Sequence, residues 1–438
     1  MASMFSDLPS EIRLLDAGTG VGGLTAAFVT EVCSRQHSPT KLLATTFEID
    51  DALVSCLRQT LDTCKSTCAQ RDIQFESVIY HDDFLKVAVD SLGNSPSNTQ
   101  TLRFNVVILN PPYRKIGTTS HERQLIQQIG LDATNLYAAF TAVAVKLLDH
   151  EGELVAIIPR SFCNGPYFRS FRKVILGETA VLRIHVFASR NVFKDDGVLQ
   201  ENVILHVRKS NKKPRTITVS SSNSGADERV VARVLDYADV VRVTNGNEFI
   251  HLPTDSDDDL IAHWMDGLPD TLTSLGLTVS TGKVVDFRMR NYLRQEPGAD
   301  TAPLIYPCHL DEGVVRWPRL GFRKPNGLVR CEETSGLMVP RGFYVVTKRF
   351  SSKEEHRRLV AAVYDPNILT APEVGFENHL NYFHRCGKGL GKEEAYGLAA
   401  FLNSAPVDRY FRQFNGHTQV NATDLRSLRY PSKETLNG

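Results

Sequence analysis

Apolar positions along this chain recur at two different periods, and the changes of period predict its elements. Glu11–Ala17, reading EIRLLDA, is a short apolar run ending in an acid, the pattern of a buried strand; residues 24–32 follow at helical spacing. Strand-like runs return at 42–47, 74–80 and 104–109, with helical stretches among them. Continuous apolar strands alternating with helices predict an α/β fold, a Rossmann-like, doubly wound sheet with helices on both faces. The runs at 181–187 and 203–207 stand too close for a full helix between them and predict an antiparallel hairpin at the sheet edge. Residues 211–227, which end in the polar stretch SSSNSGAD, predict a linker. Beyond it the pattern is mixed, with strands expected at 279–284, 304–308 and 342–347 and helices at 393–402 and 407–411. The expected division is a sheet domain at 1–210, a linker at 211–227 and a separate α+β domain at 228–438.

The carboxyl ends of the predicted strands carry the candidate chemistry. The first runs through Asp16 and Ala17 into Gly18-Thr19-Gly20-Val21-Gly22-Gly23, a turn whose glycines let the backbone approach a nucleotide. The second ends in Glu48-Ile49-Asp50, where an acid is placed to hold a ribose diol. The third ends in His81-Asp82-Asp83-Phe84, where a carboxylate accepts from an adenine amino group while Phe84 packs on the ring. The fourth stops at Asn110-Pro111-Pro112-Tyr113, because neither proline can donate to a ladder. That leaves an amide oxygen, a carbonyl on rigid backbone and an aromatic face, a set that holds a planar amino group. The Asn110 oxygen and the Pro111 carbonyl accept its two hydrogens, and the Tyr113 ring stacks on the attached π system. Singly, each piece is also a strand cap, a tight turn or a Pro-Pro turn. All four in order, at the edge where open α/β sheets bind ligands, point to a nucleotide-handling site.

Charge adds only local detail. Of the 438 residues, 50 are Lys or Arg and 50 are Asp or Glu, so no global field favours a polyanion and any electrostatic footprint is local. Candidate basic patches are Arg160/Arg169/Arg172/Lys173, Arg316/Arg319/Arg323/Lys324 and Lys348/Arg349/Arg357/Arg358. Residues 409–418, RYFRQFNGHT, fit either a loop pressed onto DNA or an amphipathic helix end with Tyr410, Phe411 and Phe414 turned inward and the arginines solvated. Eight cysteines occur without a CxxC pair, so no metal site is expected and free thiols fit a reducing compartment. No run is long and apolar enough to span a bilayer, and no signal peptide is evident.

The ordered set of turn, strand-end acids and Asn-Pro-Pro-Tyr resembles the gamma class of S-adenosylmethionine-dependent adenine-N6 DNA methyltransferases of type II restriction–modification systems. Asn135-Leu136-Tyr137-Ala138-Ala139-Phe140, Val192-Phe193-Lys194 and the segment 415–421 are similar to further stretches of that family. The resemblance implies a class I methyltransferase sheet followed by a carboxyl-terminal target-recognition domain. It implies S-adenosylmethionine held by Asp16, Ala17, Gly18, Gly20, Glu48, Ile49, Asp83, Phe84 and Asn110. The target adenine would be flipped from double-stranded DNA, presented to Asn110 and Pro111 beside Pro112, and stacked between Tyr113 and Phe193. It further implies a monomer in the prokaryotic cytoplasm, with a cognate restriction endonuclease acting separately. Residues 1–10 carry no counterpart of the segment that precedes the turn in that family and covers the cofactor, so weakened cofactor binding is expected. The rival readings are an RNA adenine methyltransferase, a cytosine-N4 or protein-glutamine methyltransferase, and a DNA-binding protein with a catalytically impaired fold.

Overall fold

The computed structural model describes all residues except 7, 94–101, 188–200, 223–229, 245, 352–354 and 370. It divides into two compact units, Met1–Thr254 and Asp255–Gly438.

Apart from a small antiparallel pair, Val241–Thr244 and Asn247–Ile250, the first unit is built on a nine-stranded sheet. Its strands are β1 (Glu11–Ala17), β2 (Lys41–Phe47), β3 (Gln74–Tyr80), β4 (Phe104–Leu109), β5 (Leu148–Pro159), β6 (Thr179–Phe187), β7 (Asn202–Lys209), β8 (Thr216–Ser222) and β9 (Val231–Asp236). They lie in the order β3-β2-β1-β4-β5-β7-β6-β8-β9. β1 to β5 are parallel, and β7 runs antiparallel between β5 and β6, the pairing that the closely spaced strand runs predicted, but β8 and β9 lie beyond it, so the pair is not the sheet edge. The central parallel strand β4 and the carboxyl halves of β1 and β2 are buried on both faces, which is why they read as continuous apolar runs, whereas the edge strand β3 is largely exposed. Leu15, Ala17, Val107 and Leu109 pack under α5 (Leu136–Leu147), whereas Leu14, Val106 and Ile108 pack under α1 (Gly23–Ser34) and α2 (Asp51–Ala69) through Phe28, Val32 and Leu57. Strand order reverses between β1 and β4. Open α/β sheets bind ligands at such a switch point, outside the carboxyl edge of the strands.

The predicted linker is not one. β8 occupies 216–222, pairs in parallel with β6 and antiparallel with β9, and so belongs to the sheet. Ile217 and Val219 enter the core, and the Ser220 and Ser222 hydroxyls each lie 3.0 Å from a ring nitrogen of His185. Serines that satisfy a buried histidine look like loop composition in a one-dimensional reading. The boundary between units falls after Thr254 instead.

The second unit is α+β. One sheet orders Thr278–Thr281, Leu380–His384, Tyr344–Lys348, Ala361–Tyr364, Val314–Val315 and Leu310–Asp311. The other orders Leu293–Arg294, Gly327–Val329, Thr301–Ile305, Glu373–Phe376 and Met338–Pro340. Helices Lys392–Leu402 and Ala405–Phe414 follow. No helix among the described residues is long and apolar enough to cross a membrane.

Candidate active site

The carboxyl edge at this switch point is assembled from the ends of β1, β2 and β4. Gly18 and Gly20 adopt positive φ, 72° and 61°, which carries the chain sharply off β1. Thr19 fastens this turn to β2. Its hydroxyl donates to the Asp16 carbonyl at 2.7 Å and accepts from the Phe47 N–H at 3.2 Å, while the N–H groups of Gly18 and Thr19 both donate to the Phe47 carbonyl at 3.0 Å. A Cβ added at Gly18 would stand 3.7 Å from Pro112 Cδ and 3.8 Å from Phe140. The glycine turn and the Asn-Pro-Pro-Tyr segment, far apart in sequence, therefore meet at this residue.

Two carboxylates line the turn in different states. Glu48 accepts from the N–H groups of Gly20, Ile49 and Asp50 at 2.8, 2.8 and 2.9 Å, so backbone dipoles hold its charge at the end of β2. Asp16 is buried, and only its Oδ2 is engaged, by the Thr25 hydroxyl at 2.7 Å; Oδ1 is buried without a partner. Burial pushes its carboxyl up to about 7, against the hydrogen bonds from Thr25 and with a smaller contribution from the Glu48 charge. A half-satisfied carboxylate of this kind is matched to a cationic ligand.

The remaining candidates divide. Ala17 is buried beneath the turn and Ile49 is largely exposed at its rim. Asp83 caps α3 (Phe84–Leu92), accepting from Leu85 N–H at 2.7 Å. Phe84 lies in the core, its ring 5.2 Å from Phe47 and 5.1 Å from Phe140, so it forms part of the floor instead of presenting an open face. Asn110 and Pro112 are exposed and Pro111 is buried. The Tyr113 hydroxyl lies 3.2 Å from Asn110 Oδ1 and 3.3 Å from the Ile157 carbonyl, and its ring meets Tyr137 edge-on. Phe193 lies outside the described residues.

Some residues of this edge escaped the sequence reading. Tyr137, fully buried, hydrogen-bonds Ser161 at 3.0 Å and stacks on Phe168, which fixes the ring that Tyr113 leans against. Asn202 opens β7 opposite Pro159, with both amide atoms buried and unpartnered. The available signal was an asparagine heading the apolar run 203–205. Burial pushes the thiols of Cys64 and Cys163 up to about 11 and about 12, so neither is a ready nucleophile. Among the described residues no group of His, Cys, Asp or Glu is placed to hold a metal.

Comparison with known proteins agrees with this geometry. Residues 40–193 match the Eco57I restriction-modification methylase family. Over 440 residues the chain is 46% identical to the type II methyltransferase M.PstI of Providencia stuartii, spanning all of this chain and 85% of that protein. This chain belongs to the type II restriction–modification methyltransferases. M.BsuBI of Bacillus subtilis is 43% identical over the same length, covering 86% of that protein. Among solved structures, the type IIL restriction-modification enzyme MmeI in complex with DNA matches 96% of this chain and 62% of its own, with TM-score 0.55 and 10% identity, a likeness of fold. The family methylates DNA with S-adenosylmethionine. That cofactor is a sulfonium with a ribose and an α-amino group, and the unpartnered Asp16 oxygen beside the open turn at Gly20 fits it.

Proposed function

We propose that this chain transfers a methyl group to the exocyclic N6 of an adenine flipped out of duplex DNA. The observation that supports the reading is the approach of Pro112 to Gly18, 3.7 Å from a Cβ built there, which brings the Asn-Pro-Pro-Tyr segment against the glycine turn. S-adenosylmethionine supplies the electrophilic methyl group when bound. Asp16 and Glu48 bind it, Asp16 offering a free oxygen to positive charge and Glu48 its remaining lone pairs to the ribose. Asp83 takes the adenine end of the cofactor. Asn110 Oδ1 and the Pro111 carbonyl accept the two hydrogens of the target amino group, drawing its lone pair out of conjugation with the ring and toward the methyl. The Tyr113 hydroxyl that now lies beside Asn110 Oδ1 yields or shares that oxygen as the base enters. Flipping costs a few kcal/mol. Stacking on Tyr113, with Phe193 opposite, offsets ~1–3 kcal/mol per ring. The second unit selects the DNA sequence, and the chain works as a monomer that protects DNA against a separately acting restriction endonuclease.

The same acceptor pair would hold any planar amino group, so the test must identify the product. Transfer from labelled S-adenosylmethionine to mixed genomic DNA, followed by digestion to nucleosides, is expected to give N6-methyladenine. N4-methylcytosine, or label appearing only in RNA, would overturn the assignment.

A further inference from the structure

The second unit carries cations that, among the described residues, have no acid partner. Exposed Phe287 and Phe350 each hold an arginine over the ring: Arg288 at 5.5 Å and Arg349 at 5.6 Å from the ring centres. Neither guanidinium has a carboxylate partner among the described residues, and neither does exposed Arg323. Hydrogen bonds join these loops into one surface. Lys324 reaches Asp286 Oδ2 at 2.6 Å, the Asn378 N–H donates to the Val284 carbonyl, and Arg349 donates to the Asn378 carbonyl at 3.1 Å. The nearby acids are spent: Asp286 on Lys324, and fully buried Glu377 on His379.

Glu377 holds His379 from two sides. Its Oε2 accepts the His379 N–H at 2.8 Å, and its Oε1 lies 2.5 Å from Nδ1. The imidazole is half exposed, packs 5.1 Å from the Phe350 ring and makes no bond at Nε2 among the described residues. A buried carboxylate is costly to keep. Here it fixes the ring of a surface histidine and turns Nε2 outward. In the neutral ring Nδ1–H donates to Glu377, leaving Nε2 as an acceptor, which matches the amino groups that adenine and cytosine show in the major groove.

We propose that this face is where duplex DNA docks, with Arg288, Arg323 and Arg349 on phosphates and His379 Nε2 on a base edge. The proposal rests on the reading of the chain as a DNA methyltransferase and names the residues that read its substrate. Charge complementarity selects the occupant: planar cations pre-oriented on rings, without acid partners, match a polyanion.

The test measures binding of the full chain to a mixed-sequence duplex of roughly 30 base pairs across a range of potassium chloride concentrations. Arg288→Ala/Arg349→Ala should weaken binding about tenfold or more and lower the slope of log affinity against log salt by about two. The matching lysine pair should restore the slope. His379→Ala should leave this duplex unaffected but lose about tenfold on a duplex carrying the sequence that the parent modifies in cells. Equal melting temperatures establish that the variants are folded. An unchanged slope in the alanine pair, or equal losses on both duplexes for His379→Ala, would overturn the face. Loss of the adenine assignment by product digestion, with these binding results intact, would overturn the proposed reaction and leave the face standing.

Discussion

The carboxyl edge of the first unit's sheet and the 405–419 segment of the second carry similar residue types, and the fold uses them in opposite ways. At the sheet edge, Asp16 at the end of β1 and Asn110 just past β4 come from neighbouring strands, Asp16 Oδ1 buried without a partner and Asn110 exposed. In helix Ala405–Phe414 the mixture of arginines, aromatics and amides is consumed internally. Tyr410, Phe411 and Phe414 are buried, Arg409 is held by Asp255, Asp257 and Asp258 at 2.6 to 3.3 Å, and Arg412 by Asp408 at 2.7 Å. Asn415 binds Arg358, itself buried. The structure adopts the helix-end reading of 409–418 for the inward aromatics, but its arginines, expected to be solvated, are paired with carboxylates instead. A residue mixture does not make a site; convergence does, and a parallel sheet guarantees convergence at one edge.

That contrast can be broken by substitution, and the largest effect is expected at Asn110. Asn110→Ala should lower methyl transfer more than a hundredfold, about 2.7 kcal/mol of barrier, with cofactor affinity within several-fold of the parent. Single-turnover rates decide it, and a variant keeping a tenth of the parental rate would remove Asn110 from the chemistry.

Glu48→Ala should weaken S-adenosylmethionine binding by about 1.5–3 kcal/mol, the loss of a charged acceptor. Because Glu48 also ties down the Gly20, Ile49 and Asp50 amides, calorimetry on the variant needs a melting curve beside it. Parental affinity would reduce Glu48 to a strand cap.

Asp16 gives a pH signature. Its carboxyl sits at about 7 in the fold, above the ordinary 3.8, so the folded state holds the proton more tightly than the unfolded chain does. Its contribution to stability is fully present below pH 3.8 and is lost as pH rises through 7. Cation binding runs the other way, since it needs the charged form: affinity for S-adenosylmethionine should fall by up to about tenfold per unit below pH 7 and level off above it. Asp16→Asn should flatten both profiles, and a variant retaining the parental slope would show that another group titrates.

The smallest effect is expected in the consumed helix. Arg409→Ala should cost about 1–2 kcal/mol in urea unfolding by leaving Asp258 poorly paired, an ion-pair effect screened by partial exposure. It should leave the salt dependence of DNA binding unchanged. A shallower salt slope would put Arg409 back among the groups that meet DNA.

Most of the sheet was legible because its central parallel strands, buried on both faces, leave unbroken apolar runs, and because the strand ends bear turn glycines and acids. β8 was not legible, since its hydroxyls serve a buried histidine that no local pattern reveals. The strands of the second unit run from two to five residues, too few for a period to show, so only three of them were anticipated. Phe84 was placed correctly at its strand end but given a ring-stacking task that burial against Phe47 and Phe140 withholds. Asn202 and the Glu377–His379 pair required the fold, because each depends on what lies across a sheet or beneath a surface.

The membership of β8 in the first unit bears on exchanging recognition units between relatives. A chimaera joined at residue 210 would draw both β8 and β9 from the incoming half, and one joined at 227 only β9, and where those strands fail to seat an unpaired strand is left at the sheet's margin. Such an open margin recruits strands from other molecules. The hybrid would then fail by clumping before its choice of sequence was ever exercised, whereas a junction at Thr254 keeps the sheet whole.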